Sequence, residues 1–421
     1  MAWLLGGALA TSSVAWGAPG DHIRVGAIEL SPTLDLGSEY RTNVYRSEQD
    51  PVPAANVNFA AGLGMAANGE DHRFEARGRW EIQKFFFVGT QQVGVPRPSG
   101  QRIGSLDRFD NGSASLAMES FKRNRVGFSI RDALTQRNTT ADAEYADLPY
   151  TSHLRNDFAF DLRFSPSSAL SITPNGTWSY DDFRIPRLEA GGDRSLNQRH
   201  IYGPSLDLEW RFLPRTAVVL DADVTWQNWA ENALDSNGDD EEIELPNSTF
   251  YKVRGGLDGQ FTRRLFAQVL LGYGIGVYDG TSQAASLGTS GLDGLLFKFS
   301  LRYDLTQAVG DRPGSRLRAG YTKDFNDSFF SNYLALNAFN LEYTGRMGRF
   351  EPSARYSIRF EKYNGELARN DVLNRFQLGL ATPLGTWARL SVGGWWQQRA
   401  SSVENVEYDD FHFQVLTSFA Y

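Results

Sequence analysis

The chain has 421 residues, enough for two or three soluble domains, with 41 Gly, 28 Phe, 17 Tyr and 10 Trp but only 4 Met and no Cys. The absence of Cys excludes disulfides, thiolate metal sites and a Cys nucleophile. A net charge of −8 without any basic block argues against nucleic-acid partners, and the negative mean hydropathy argues against a bundle of spanning helices.

The N-terminus reads as a processing segment. Ala2 to Ala15 form an apolar stretch of secretory-signal length, although no Lys or Arg precedes it. Ala15 and Gly17 have the spacing of small residues before a cleavage site, which places the cut after Gly17. The stretch is too short to serve as a membrane anchor. Residues 1–17 are therefore expected to be a signal peptide for Sec export, 18–26 a short periplasmic lead, and 27–421 one domain.

Beyond residue 26 strict alternation dominates. Successive residues of a strand point to opposite faces, so a strand between two environments is written with period two. Phe350, Pro352, Ala354, Tyr356, Ile358 and Phe360 alternate with Glu351, Ser353, Arg355, Ser357, Arg359 and Glu361. Leu295, Phe297, Phe299, Leu301 and Tyr303 alternate with Lys298, Ser300, Arg302 and Asp304. Runs of this kind predict strands at 27–41, 55–68, 71–88, 109–121, 126–136, 153–165, 169–183, 199–212, 216–229, 249–261, 264–278, 292–305, 315–325, 333–343, 350–363, 372–382, 387–398 and 411–421.

The connections alternate too. Those after even-numbered strands are short, such as Asn68 to Glu70, Leu213 to Arg215 and Pro383 to Thr386. Those after odd-numbered strands are long, such as Thr42 to Ala54, Gly89 to Arg108, Arg184 to Gln198 and Ala230 to Ser248. Short periplasmic turns and long extracellular loops mark outer-membrane barrels, and the stretch around Gln307 to Gly314 is the exception. The expected fold is all-β: a closed antiparallel up-and-down transmembrane barrel of about 18 strands (16–18), the count being even.

Aromatic residues near strand ends fit interfacial girdles, with Tyr40, Trp178, Tyr180, Trp226, Trp229, Tyr273 and Trp396 as candidates. The last strand alternates to Phe419 and Tyr421, the terminal aromatic pattern that barrel-assembly machinery reads. The opposite face carries Arg77, Arg79, Glu81, Asp161, Arg163, Glu209, Arg211, Lys298, Arg302, Arg355, Arg359 and Glu361, the candidate lumen residues. Charges of both signs there require water or dense salt bridging. Two readings stay open: a water-filled transport pore, or a plugged, non-conducting barrel with a structural, docking or adhesive role.

Motifs for catalysis are missing: there is no HExxH, GxSxG, P-loop or GxGxxG before a helix, and no catalytic residues are assigned. One loop is strongly acidic, with Glu231, Asp235, Asp239, Asp240, Glu241, Glu242 and Glu244 and no Lys or Arg. Asp235, Asn237 and Asp239 have the oxygen-ligand spacing that opens some calcium loops, while Asp240 and Pro246 depart from the EF-hand pattern. The loop is either a solvated acidic segment or a Ca²⁺ or Mg²⁺ site. No other cofactor is expected.

Leu30, Pro32 and Leu34, followed by Tyr40, Asn43, Val44 and Tyr45, resemble the opening of the β-barrel porin 2 family. That family begins with an apolar-Pro-apolar strand and a Tyr-x-x-Asn-Val-aromatic loop entry. His72, Arg73 and Phe74 look like its usual opening of the third strand. The resemblance implies an outer-membrane channel, encoded beside exopolysaccharide or capsule genes and acting in polysaccharide secretion. Expected partners are outer-membrane lipid and lipopolysaccharide, the barrel-assembly machinery and polysaccharide-export proteins.

Overall fold

The computed structural model describes residues 23–44, 46, 51–87, 95–96, 102–103, 108–121, 124–139, 151–187, 192–229, 233–234, 242–243, 247–278, 291–306, 314–326, 333–364, 369–403 and 406–420. The expected signal peptide, the acidic residues Asp235, Asn237 and Asp239, and Tyr421 lie outside them.

Eighteen long strands form one sheet. They are β1 (Ile28–Arg41), β2 (Ala54–Asn68), β3 (His72–Phe87), β4 (Arg108–Ser120), β5 (Val126–Thr139) and β6 (Thr151–Phe164). Next come β7 (Leu170–Arg187), β8 (Gly192–Leu213), β9 (Thr216–Trp229), β10 (Ser248–Gln260), β11 (Leu265–Tyr278) and β12 (Gly291–Asp304). The last six are β13 (Arg316–Asn326), β14 (Tyr333–Thr344), β15 (Glu351–Asn364), β16 (Arg369–Pro383), β17 (Ala388–Ser401) and β18 (Tyr408–Ala420). Each pairs antiparallel with the next. β18 returns to β1, from Thr33↔Ala420 to Arg41↔His412, so the sheet closes on itself. The architecture is the 18-strand barrel that the alternation predicts.

The strands depart locally from the predicted bounds in three ways. The polar segment Arg184 to Gln198 reads as a loop, yet β7 and β8 stay paired out to Arg187↔Gly192 past a register shift at Phe183/Arg184. Antiparallel pairing is satisfied there by backbone alone, so polarity gives no warning. The expected N-terminal lead contains a strand: Ile23–Val25 folds back through Gly26, which has φ +65°, and pairs with Ile28–Leu30. Pro-free and β-branched, Ile23 and Val25 suit an edge strand that the short span hid from periodicity. Finally, β16 and β18 begin earlier than expected, at Arg369 and Tyr408.

The two faces of the wall differ sharply. One presents large apolar side chains, among them Leu63, Trp80, Leu116, Phe160, Trp210, Leu271, Leu295, Phe376 and Leu378, each more than a third exposed. No water-facing surface carries so continuous an apolar band, whereas lipid contact fits it. Tyr40, Trp178, Tyr180, Trp226, Tyr273 and Trp396 lie on this face toward the long-loop end. Phe164, Trp210, Phe212 and Tyr303 lie toward the short-turn end, where Trp387 also stacks on Phe419 at 5.7 Å. Trp229 corrects the girdle assignment. It stands opposite Arg199 on the other face, with the guanidinium 5.4 Å from its ring centre. Trp226 and Trp229 are an odd number of residues apart, and in a regular strand they cannot share a face. The apolar band, two aromatic girdles and loop asymmetry make the chain an integral outer-membrane barrel.

Candidate functional site: the charged face

Residues directly opposite each other across an antiparallel pair share a face, so facing can be followed from strand to strand. The path Arg302↔Arg318↔Glu342↔Arg355↔Gln377↔Trp395↔His412↔Arg41 covers β12 through β18 and back to β1. Asp35↔Ala60↔Glu81↔Asn111 and Glu119↔Ser129↔Asp161↔Asn175↔Ser205 continue it through β8. Asp223↔Lys252↔Gly274↔Gly294 completes the circuit. All twelve charged residues singled out in the sequence fall on this one face.

Several of them are joined in pairs. Arg79 bridges to Asp35 of β1 and to Glu81, the latter at 3.5 Å. Arg211 pairs with Glu209 at 2.6 Å and Arg359 with Glu361 at 2.9 Å. Asp161 accepts from Arg131 and Ser129, both at 2.6 Å. Arg77 lies 3.5 Å from Glu75. Arg302 sits over the ring of Phe266 at 3.7 Å. Arg163 lies opposite Gly127, Lys298 opposite Leu270 and Thr322, and Arg355 opposite Glu342 and Gln377. The structure does not gather the twelve into one centre; it spreads them around the wall.

The denser chemistry lies at the long-loop end of the same face, in residues the sequence reading passed over. Asp181 accepts from Arg199 Nε at 2.9 Å and Arg155 at 3.3 Å, and lies 2.9 Å from His153 Nε2. Lys252 donates to Asp324 at 2.9 Å, and Arg254 donates to Asp223 at 2.8 Å and to Asp324 at 3.3 Å. Asp371 accepts from Arg399 Nε at 3.1 Å, from Arg369 at 3.0 Å and from Ser401 at 2.7 Å. His412 lies between Glu39, at 2.6 Å, and Asp410, stacked on Trp395 at 4.2 Å. The carboxylates at the centre of these networks are almost wholly buried; Arg399 and Asp371 expose none of their side chains. Buried charges hold only when paired and hydrogen-bonded in this way. The missed signal was parity: each keeps the same alternation as the charges farther down its strand.

Aromatic residues fill the space between the networks. Phe250, Tyr278, Leu296 and Phe325 pack together beside Lys252. They can do so because β11 carries glycines on this face: a Cβ on Gly274 would come within 2.7 Å of the Phe325 ring. Val44, Ala54, Phe85 and Phe109 make a second cluster. Toward the short-turn end the same face opens. Side-chain exposure reaches 71% for Arg77, 58% for Arg211 and 52% for Arg131. Adjacent recesses there have volumes of about 340 Å³ each, lined by residues such as Glu75, Arg131, Asp161, Arg163 and Asp207.

No protein-family model and no curated protein matches the chain. Among solved structures, the FrpB iron transporter of Neisseria meningitidis aligns at TM-score 0.51 and 8% identity, over 93% of this chain and 81% of that one. OpdK of Pseudomonas aeruginosa, solved with vanillate, aligns at TM-score 0.48 and 11% identity, over 93% of this chain and 99% of its own. OccAB4 of Acinetobacter baumannii aligns at TM-score 0.44 and 10% identity, over 94% and 99%. The likeness to FrpB is one of fold, and the fold is that of an outer-membrane barrel.

Proposed function

We propose that the protein is an outer-membrane channel whose charged face lines a water-filled lumen. One observation carries this reading. Lys252 on β10 reaches Asp324 on β13, three strands away. Neighbouring strands lie about 4.8 Å apart, so on a flat sheet the two backbones would be roughly 14 Å apart. The side chains meet because the sheet curves toward the face they share, which makes that face the inside of the barrel. The exposed arginines nearer the short turns then keep their hydration inside the barrel, and a barrel of this strand number is too wide for side chains to fill.

The finer reading is membership of the β-barrel porin 2 family and an outer-membrane step in polysaccharide secretion. It is supported by Pro32, Asn43, Val44 and His72 in the family's pattern, with Asn43 and Val44 buried at the loop entry. The backbone N–H of Asn43 donates to Asp410 at 3.2 Å, tying this entry to the last strand. In this reading residues 1–17 direct export, Phe419 and Tyr421 serve the assembly machinery, and the long loops face lipopolysaccharide. Asp235, Asn237 and Asp239 are proposed as a Ca²⁺ site in one such loop. Calorimetric titration with Ca²⁺ tests that site, and equal heats from the protein and an Asp235→Ala, Asp239→Ala variant would remove it.

Burial of the ionic networks at the long-loop end favours a second reading, a barrel closed at its outer mouth until a partner opens it. Single-channel recording of the refolded protein in a planar bilayer separates the two. Stable Ohmic steps are expected for the open channel. Silence from a demonstrably folded barrel would favour the closed one.

A further inference from the structure

We infer that the charged face carries an anion site built on Arg355 of β15 and Arg375 of β16, suited to the carboxylate of a solute. This rests on the charged face being the lumen. Along this part of the wall, basic residues come with carboxylates. Arg318 has Glu342 at 3.4 Å, Arg359 has Glu361 at 2.9 Å, Arg389 has Glu351 at 2.5 Å, and Arg369 and Arg399 share Asp371. Arg355 and Arg375 stand among them and find no acceptor among the described residues. The Nε of Arg375 is buried without a hydrogen-bond partner. The cationic groups of Arg46, Arg355 and Arg359 act on it, opposed by the Tyr408 phenol.

Nearby acceptors are already engaged. Glu361 holds Arg359 and the Tyr363 hydroxyl, and Glu342 holds Arg318. Asp410 holds His412, the Asn43 N–H and the Thr42 hydroxyl, and the Tyr408 hydroxyl accepts from Gln397 at 2.5 Å. A guanidinium whose Nε is buried and unpaired, set close to other arginines, is costly, and an anion removes that cost. Arginine presents parallel N–H groups that match the two oxygens of a carboxylate. Trp395 lies beneath Arg375, 5.5 Å from ring centre to guanidinium, which holds the fork in a fixed plane. Ser357 and Gln397 flank Arg375, and Gln377 flanks Arg355, as neutral hydrogen-bonding neighbours. The ligand class that follows is a small acidic solute, an acidic saccharide being the form that suits the proposed channel.

The test is calorimetric binding of trigalacturonate, with maltotriose as the neutral counterpart, to the folded full-length mature protein in detergent micelles. Trigalacturonate is expected to bind and maltotriose to bind far more weakly. Arg355→Gln and Arg375→Gln are each expected to weaken trigalacturonate binding by about tenfold or more. Arg375→Lys, which keeps the charge and loses the fork, is expected to weaken it as well. Arg77→Gln, on the same face but paired with Glu75, should leave it unchanged. Equal affinity in Arg355→Gln, or no binding to the folded wild type, would overturn the site. If burial makes Arg375→Gln fail to fold, Arg355→Gln carries the test. Binding in micelles needs no conduction: a silent barrel that binds loses the channel and keeps the site, and a conducting barrel that does not bind loses the site alone.

Discussion

Single residues decide where this wall is stable and where it is strained. Asp132, in the middle of β5, interrupts the apolar face between Leu116 and Phe158, and one of its carboxylate oxygens is buried without a partner. Other described charges of that face, such as Lys84, Arg108, Lys323 and Lys362, lie within a few residues of the long-loop ends. A carboxylate facing lipid is destabilising, so Asp132→Leu is expected to raise stability by about 1–2 kcal/mol in denaturant titration of the folded barrel. The opposite holds for Asp371, whose loss would remove the buried carboxylate that Arg369 and Arg399 share. Asp371→Ala is expected to cost about 3–5 kcal/mol, and adding Arg399→Met should recover much of it, a double-mutant cycle that isolates the pair. Gly274 is a steric matter. Gly274→Val drives a side chain into Phe325 and should cost about 1–3 kcal/mol by the same titration.

The strand is the unit in which sequence and structure agree best, because period-two alternation reports the two environments directly. β12 shows this: Phe299 lies on the apolar face and Arg302 on the charged one, and both are readable from the run Leu295 to Tyr303. Phe299→Arg is expected to block folding into bilayers, at about 2–4 kcal/mol for a mid-membrane arginine, while Arg302→Ser should fold normally. Heat-modifiable electrophoretic mobility reads the difference, and similar behaviour of the two would overturn the facing. What alternation cannot show is where pairing stops. β7 and β8 run on through polar residues because a hairpin needs only its backbone bonds. The partners of Asp181, Lys252 and Asp371 were likewise hidden. Those of Asp181 and Asp371 lie on neighbouring strands and depend on register, which alternation does not give, while Lys252 reaches from β10 to β13, a contact that follows from curvature.

At the scale of the whole molecule, the number of strands and the direction of the long loops were legible, since each repeats along the chain. The mouth was not, for it is assembled from the ends of many strands at once. The closing seam leaves the first residues of β1 uncovered. β18 covers β1 only from Thr33 onward, and the edge at Ile28–Leu30 is taken instead by Ile23–Val25. A cylinder rolled from a sheet on the bias leaves a flap where its two margins overlap unevenly, and this chain stitches the flap down with residues that precede the wall. A tag or linker joined directly at Ile28 would leave that flap loose, while one joined ahead of Ile23 would leave the cylinder whole.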